Sequence, residues 1–224
     1  MKIALQALAS FVIGLVLFVL LVFWPAGTFD YWQGWAFIAV FAASTTIPSI
    51  YLAVTNPAAL KRRMEVGPAA ETRPLQKVII TFAFFSLAAM IVVSALDFRL
   101  GWSFVPAEVS VVGDALVGVG LLIAMITTIQ NGYAAANIKV ESAQTVVSTG
   151  VYSVVRHPMY FGNVLLMIGI PLALGSYWGL LFVIPGLAVL VTRILDEEKV
   201  LTQQLAGYAD YAQRVHARLV PYVW

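Results

Sequence analysis

The chain has no cysteine among its 224 residues. Disulfides, thiolate nucleophiles, cysteine metal sites and iron–sulfur clusters are excluded together, while the redox compartment stays open. Charge is scarce too: 11% of residues are charged, where an ordinary soluble domain has about a quarter. A net charge of +2, with no dense basic arm or tail, gives no reason to expect a nucleic-acid partner. Histidine occurs only at His157 and His216, too far apart for ligand spacing, so neither His157 nor Asp196 is expected to hold a metal. What abounds is apolar. At 61% hydrophobic, the chain belongs in a bilayer as an all-α, polytopic membrane helical bundle.

Ile3 to Phe23 is an apolar run of about the 20 residues that a membrane crossing needs. A signal peptide is the competing reading, but the run is long for one, and Trp24-Pro25-Ala26 puts a bulky residue where cleavage wants a small one. It is expected to stay in the mature protein. Tyr31, Trp32 and Trp35 suit a membrane interface, and Gly34 to Val54 returns across the bilayer. Thr55 to Gln76, with Lys61, Arg62, Arg63, Glu65, Glu71 and Arg73, reads as a cytoplasmic loop rather than a binding site, and its arginines suit anionic headgroups. Lys77 to Leu96 and Val109 to Asn131 are the third and fourth spans. Gly113, Gly118 and Gly120 lie inside the fourth, where close helix packing explains them better than nucleotide binding does. Asp114 is expected at the interface.

Gly132 to Pro158 is polar enough to leave the bilayer. Met159 to Leu174 and Leu180 to Ile194 then form a tight hairpin around residues 175–179, with Pro171 and Pro185 expected to kink its arms. Six crossings are expected, with five plus a re-entrant element as the alternative. Placing both termini on one side gathers Lys2, the Lys61 to Lys77 loop, Lys139, Arg156, Arg193, Lys199, Arg214 and Arg218 there. Of thirteen basic residues only Arg99 is left opposite. By the positive-inside rule that side is cytoplasmic. After Arg193 the chain stays helical, with a bend at Gly207. Its apolar face is expected on the membrane surface or over the hairpin, a lid on the site being the alternative.

The conspicuous polar chemistry lies in Thr149 to Asn163 and Arg193 to Leu201. Pro158 disfavours helix in the residue before it and suits a first helical turn, so a helix starts here with Tyr160 one turn inside. Arg193 and Glu197 share a helical face, where they can hold a ligand or each other. Thr145 to Tyr152, Arg156 to Gly162, Arg193, Glu197 to Leu201, Gly207-Tyr208, Tyr211, Arg214-Val215 and Pro221 follow in order. Together they resemble the isoprenylcysteine carboxyl methyltransferase family over roughly the last 90 residues.

The resemblance implies an integral membrane methyltransferase that uses S-adenosylmethionine. Residues 1–131 would hold four transmembrane helices. Residues 132–224 would add the cofactor-binding loop, the hairpin and an amphipathic helix, all in one integrated domain with its catalytic region on the cytoplasmic side. Asn137, Gln144, Thr145, Val146, Val147, Tyr152, His157, Pro158, Met159, Tyr160 and Glu197 would line the cofactor pocket. Arg193 and Glu197 would be catalytic, Arg193 facing the methyl acceptor. Asn137 stands where the family often has glutamine, and Gln144 where it can have histidine. The residue chemistry suits these roles. His157, Tyr160 and helix-start amides donate to a carboxylate, Glu197 accepts from an ammonium or a ribose hydroxyl, and Tyr152 offers an aromatic wall. A carboxylate acceptor needs a nearby cation such as Arg193, and the sequence slightly favours it. An amine or thiol needs a proton acceptor, for which Glu198 or His157 are candidates. The expected partners are membrane lipids and a lipophilic or membrane-delivered acceptor, whether a prenyl-type carboxylate, a phospholipid amine or a small thiol. An NADPH-dependent reductase of the sterol-reductase type and a non-catalytic membrane protein stay open as other classes. Adjacent Glu197-Glu198 argues against the first, and the lack of mid-membrane charge in the first three spans against the second.

Overall fold

In the computed structural model the described residues are 2–134, 137, 138, 140–221, 223 and 224, without the side chains of residues 2–5, 7 and 8. The helices are α1 (Lys2–Ala26), α2 (Trp32–Thr55), α3 (Pro57–Met64), α4 (Pro74–Leu100), α5 (Ala107–Gln130), α6 (Pro158–Ala173), α7 (Val183–Gln204) and α8 (Tyr208–Arg214). Short 3₁₀ turns at Pro68–Ala70, Gly150–Ser153 and Trp178–Phe182 join some of them. No strand occurs among the described residues.

Five helices, α1, α2, α4, α5 and α7, are long and apolar enough to cross a bilayer. A shorter apolar helix, α6, has 16 residues and spans roughly 24 Å. The turn after it still reaches the layer where α4 ends. There the buried Asp97 carboxylate accepts from the Ser176 hydroxyl at 2.6 Å and from the Ser103 amide at 2.8 Å, and Tyr31 donates to the Leu174 carbonyl at 2.5 Å. Trp24, Trp32, Trp35, Trp102 and Trp178 stand exposed at this distal end, the arrangement of an interfacial aromatic belt. Arg99 is also here, beside Gly27. The basic residues Lys61, Arg62, Arg63, Arg73, Lys77, Arg156, Arg193, Lys199, Arg214 and Arg218 lie toward the other end, which carries the motifs. Lys139 and the side chain of Lys2 lie outside the described residues.

Local chemistry sets several boundaries. The Asn56 side chain accepts from the Ala59 amide at 3.1 Å, and Pro57 follows it at the first position of α3. Gly101 ends α4 at φ +63°. Pro158 opens α6 behind His157, as its chemistry requires. Pro185 was expected to kink α7 but lies in its first turn, where a missing N–H costs nothing. The core fills with Phe23, Phe37, Met90, Ile91, Val117, Ile170 and Leu174 from α1, α2, α4, α5 and α6.

The closest packing joins α5 and α6, which run antiparallel. A Cβ on Gly120 would fall 2.6 Å from the Gly162 carbonyl oxygen, and one on Gly113 would fall 2.2 Å from the Ala173 nitrogen. Backbone thus meets backbone at both ends of the pair. Asp114, expected at the interface, is buried because α6 closes onto α5 around Gly113. Gly118 instead faces Val40 and Ser44 of α2, with room at 3.9 Å. This register also fixes the depth of α6. Since α5 runs ten residues past Gly120 and α6 begins four before Gly162, α6 stops roughly 9 Å short of the end of α5. A recess is left over the start of α6.

Gly113→Ala is expected to destabilise the detergent-purified protein by about 1–3 kcal/mol, because backbone cannot retreat as a side chain can. Gly118→Ala should be close to neutral. Thermal unfolding in matched micelles compares the two.

Candidate active site

The recess is organised by two polar networks. The first centres on Glu198 near the end of α7. Its Oε1 accepts from Arg156 Nε at 2.7 Å and lies 3.2 Å from His157 Nε2, while its Oε2 accepts from Arg218 Nε at 2.8 Å. Arg156 also donates to the carbonyls of Ala212 and Val215. The tail closes the arrangement in the backbone, with the amides of Arg156 and His157 donating to the carbonyls of Ala217 and Arg218, both at 2.9 Å. Glu198 has both oxygens engaged by cationic or imidazole groups. It is therefore a structural hub, not the free proton acceptor that its sequence position suggested.

The second network runs from α4 to the recess. Arg193 pairs with Glu71 at 2.9 Å, donates to the Gln76 carbonyl oxygen at 2.7 Å, and donates through Nε to the Tyr160 hydroxyl at 3.0 Å. Tyr160 in turn donates to Glu197 Oε2 at 2.6 Å. Gln76 also donates to Asp196, which holds Arg73 in a two-point pair at 2.5 and 2.7 Å. Arg193 and Glu197 thus do not pair directly along their helix, because the Tyr160 hydroxyl stands between them. Arg193 is buried and does not line the cleft described next.

The cleft encloses about 830 Å³ of empty space, its open mouth included. The structure brings Asn137, Gln144, Thr145, Val146, Val147, Tyr152, His157, Pro158, Met159, Tyr160 and Glu197 to its walls. Sequence reasoning missed other lining residues, including Asn131, Tyr133, Ile138, Arg156, Leu201, Leu205, Tyr208 and Tyr211. The last four had a signal in their helical spacing. The expected surface helix breaks at Gly207, φ +82°, and α8 turns its apolar face onto Val146 and Tyr152. The chain after α7 therefore walls the site through α8, and its last residues lie over the hairpin, Leu219, Val220 and Trp224 packing with Tyr160, Phe161 and Val164 of α6 and Leu190 and Ile194 of α7. Tyr211 fixes α8 by donating to the Tyr152 carbonyl at 2.7 Å.

Local geometry supports these walls. Gly150, at φ +60°, leaves room for the Gln130 side chain, whose Oε1 accepts from the Val151 amide at 3.1 Å. Gln144 closes its own turn by accepting from the Glu141 amide at 3.2 Å. Burial pushes the Tyr152 phenol up to about 12, against the pull of the Asn131 amide and Arg63, so it is neutral at physiological pH. Two buried polar atoms at the cleft, Asn137 Oδ1 and the Tyr208 hydroxyl, have no hydrogen-bond partner among the described residues. A buried polar group without a partner is costly, and a ligand with its own donors and acceptors removes that cost. No group of acidic or histidine residues with metal-ligand geometry occurs among the described residues.

Residues 109–208 match the family model of phospholipid methyltransferases. The matched stretch runs from the start of α5 to the start of α8. It carries nearly all of the cleft and leaves out α3, Glu71 and Gln76. The region is thus similar to a membrane methyltransferase family. The match is to phospholipid methyltransferases, whereas the motifs resemble the isoprenylcysteine carboxyl methyltransferases. No curated protein matches the chain.

Glu198→Gln leaves two arginines and a histidine facing a neutral amide. The expected cost is about 3 kcal/mol, as for other broken buried pairs. Thermal unfolding measures it, and faster tryptic cleavage after Arg218 should accompany it.

Proposed function

We propose that the protein is an S-adenosylmethionine-dependent membrane methyltransferase acting on a membrane-delivered amphiphile. One observation carries the reading. The eleven residues that the resemblance assigns to a cofactor pocket line a single cleft, within the segment that matches a methyltransferase family. Five apolar helices and the gathering of basic residues at the cleft end support a multi-pass protein whose cleft and termini face the cytoplasm.

When bound, S-adenosylmethionine supplies an electrophilic methyl group on a sulfonium. The cleft has matching polar groups. Asn137 Oδ1 and the Tyr208 hydroxyl are without partners, and Glu197 keeps Oε1 for a ligand donor because Tyr160 engages Oε2. Tyr152 provides a neutral aromatic wall. At the start of α6 the His157 carbonyl takes the amides of Tyr160 and Phe161, which leaves the Met159 amide to meet an anionic group. Arg193 acts as a positioning residue. Held by Glu71 and Gln76, it fixes the Tyr160 hydroxyl, which in turn fixes Glu197. Alignment of this kind supplies up to roughly 7–11 kcal/mol in well-oriented reactions.

Two acceptor chemistries fit. A carboxylate is already nucleophilic and gives up no proton on becoming an ester. An amine, the acceptor type suggested by the phospholipid methyltransferase match, must lose a proton on becoming a methylamine. With both Glu198 oxygens engaged, Glu197 Oε1 is the carboxylate oxygen placed to take it.

Calorimetry on the detergent-purified protein tests the reading. S-adenosylmethionine is expected to bind in the micromolar range. His157→Ala and Glu197→Ala should each weaken it about tenfold or more, the worth of a hydrogen bond to a charged group. Binding of NADPH without S-adenosylmethionine would assign a reductase, and binding of neither a non-catalytic protein. Labelled methyl transferred to native membranes then separates the acceptors, since an ester releases methanol in alkali and a methylamine does not.

A further inference from the structure

Around the cleft, Arg62, Arg73, Arg156, Arg193 and Arg218 each pair with a carboxylate. Arg63 does not. Its Nη1 meets only the Met159 thioether, at 3.0 Å, and no carboxylate faces it among the described residues. A thioether is a weak acceptor, and a half-buried cation without an anion is costly. Burial lowers the guanidinium's pKa, with Tyr160 and Tyr152 opposing. Arg62, one residue earlier, is held at two points by Glu141, both at 2.8 Å. The sequence thus neutralises one arginine of the pair and leaves the other open.

Position says what it faces. Arg63 is not among the residues lining the cleft but abuts Met159, which is, and it acts on the phenols of Tyr152 and Tyr160, so it stands at the cleft's edge. It belongs to α3, whose Ala59 and Leu60 pack under Leu52 at the end of α2. The last turns of α2 expose Ile47, Ile50, Tyr51 and Val54, an apolar surface that leads to the basic end of α3. A long apolar tail can run along such a surface with its polar head at Arg63.

We propose that Arg63 is the residue that binds the acceptor, holding the oxyanion of an amphiphile, phosphate or carboxylate, beside Met159 at the edge of the cofactor cleft. The proposal rests on the methyltransferase reading and names the substrate class for it. Arg63 lies outside the matched segment, so it separates acceptor choice from the cofactor machinery.

The test uses the full chain in phosphatidylcholine nanodiscs, titrated calorimetrically with dodecyl phosphate, dodecanoate, inorganic phosphate and dodecyltrimethylammonium, and separately with S-adenosylmethionine. Dodecyl phosphate and dodecanoate should bind, and the cationic amphiphile should not. Inorganic phosphate should bind at least about tenfold more weakly than dodecyl phosphate. Arg63→Gln should weaken both anionic amphiphiles about tenfold, the scale of one charge-assisted contact, while S-adenosylmethionine affinity moves less than about twofold. Arg63→Lys should retain part of the binding. Arg63→Met, which puts an apolar chain against Met159, carries the same expectation if the glutamine variant is unstable. Unchanged amphiphile binding in a folded variant overturns the proposal. So does an equal loss of S-adenosylmethionine, which would give Arg63 to the cofactor, or equal binding of inorganic phosphate, which would make the site one for free anions. The amphiphile titrations need no cofactor, so absent S-adenosylmethionine binding would count against the methyltransferase reading alone.

Discussion

The site depends on a single carboxylate. Glu198 draws Arg156 and His157 from the start of α6 and Arg218 from the tail onto the end of α7. Two partly buried guanidinium groups repel each other and resist desolvation, so Arg156 and Arg218 converge only around an anion, and the His157 imidazole joins them there. With that anion in place, the tail backbone pairs with residues 156 and 157, and α8 lies where its tyrosines wall the cleft. Packing supplies the scaffold, but this charge cluster decides where the chain after α7 goes.

The amino-terminal half carries no recognisable motif, yet it supports the motif residues from behind. Glu71, Arg73 and Gln76, around the start of α4, engage Arg193 and Asp196 on the hidden side of α7. Tyr160 passes that constraint on to Glu197 at the cleft. The chemistry faces one way and its bracing the other. The bracing residues lie outside the segment that matches the family, and so does Arg63.

Much of this was legible in the sequence where the cause is local. Hydropathy marked the spans, Pro158 marked the start of α6, and the glycines of α5 pointed to close packing, because each depends on residues near in the chain. The eleven residues expected around a cofactor line one cleft. What stayed hidden depends on partners far apart in the chain. Helical spacing suggested an Arg193–Glu197 pair, but Tyr160 comes between them and Glu71 arrives from the loop before α4. Glu198 looked like a free base because Arg218 lies beyond the helix break at Gly207. Asp114 looked interfacial by its place near a helix end, and only the closure of α6 buries it. Arg62 and Arg63 were indistinguishable by composition, and only Glu141 separates them.

The backbone contact between α5 and α6 also limits how this molecule can move. Two helices whose glycines touch main chain to main chain have no side-chain layer in which to slide or tilt. They form one rigid body that fixes the floor of the cleft. Any gate for a ligand must therefore belong to the pieces around that body. The left-handed break at Gly207 lets α8 swing as a unit on the aqueous side, while α3 rests on a small cluster of its own at the lipid side. The two reactants would then come and go through separate doors, both opening over one stationary floor.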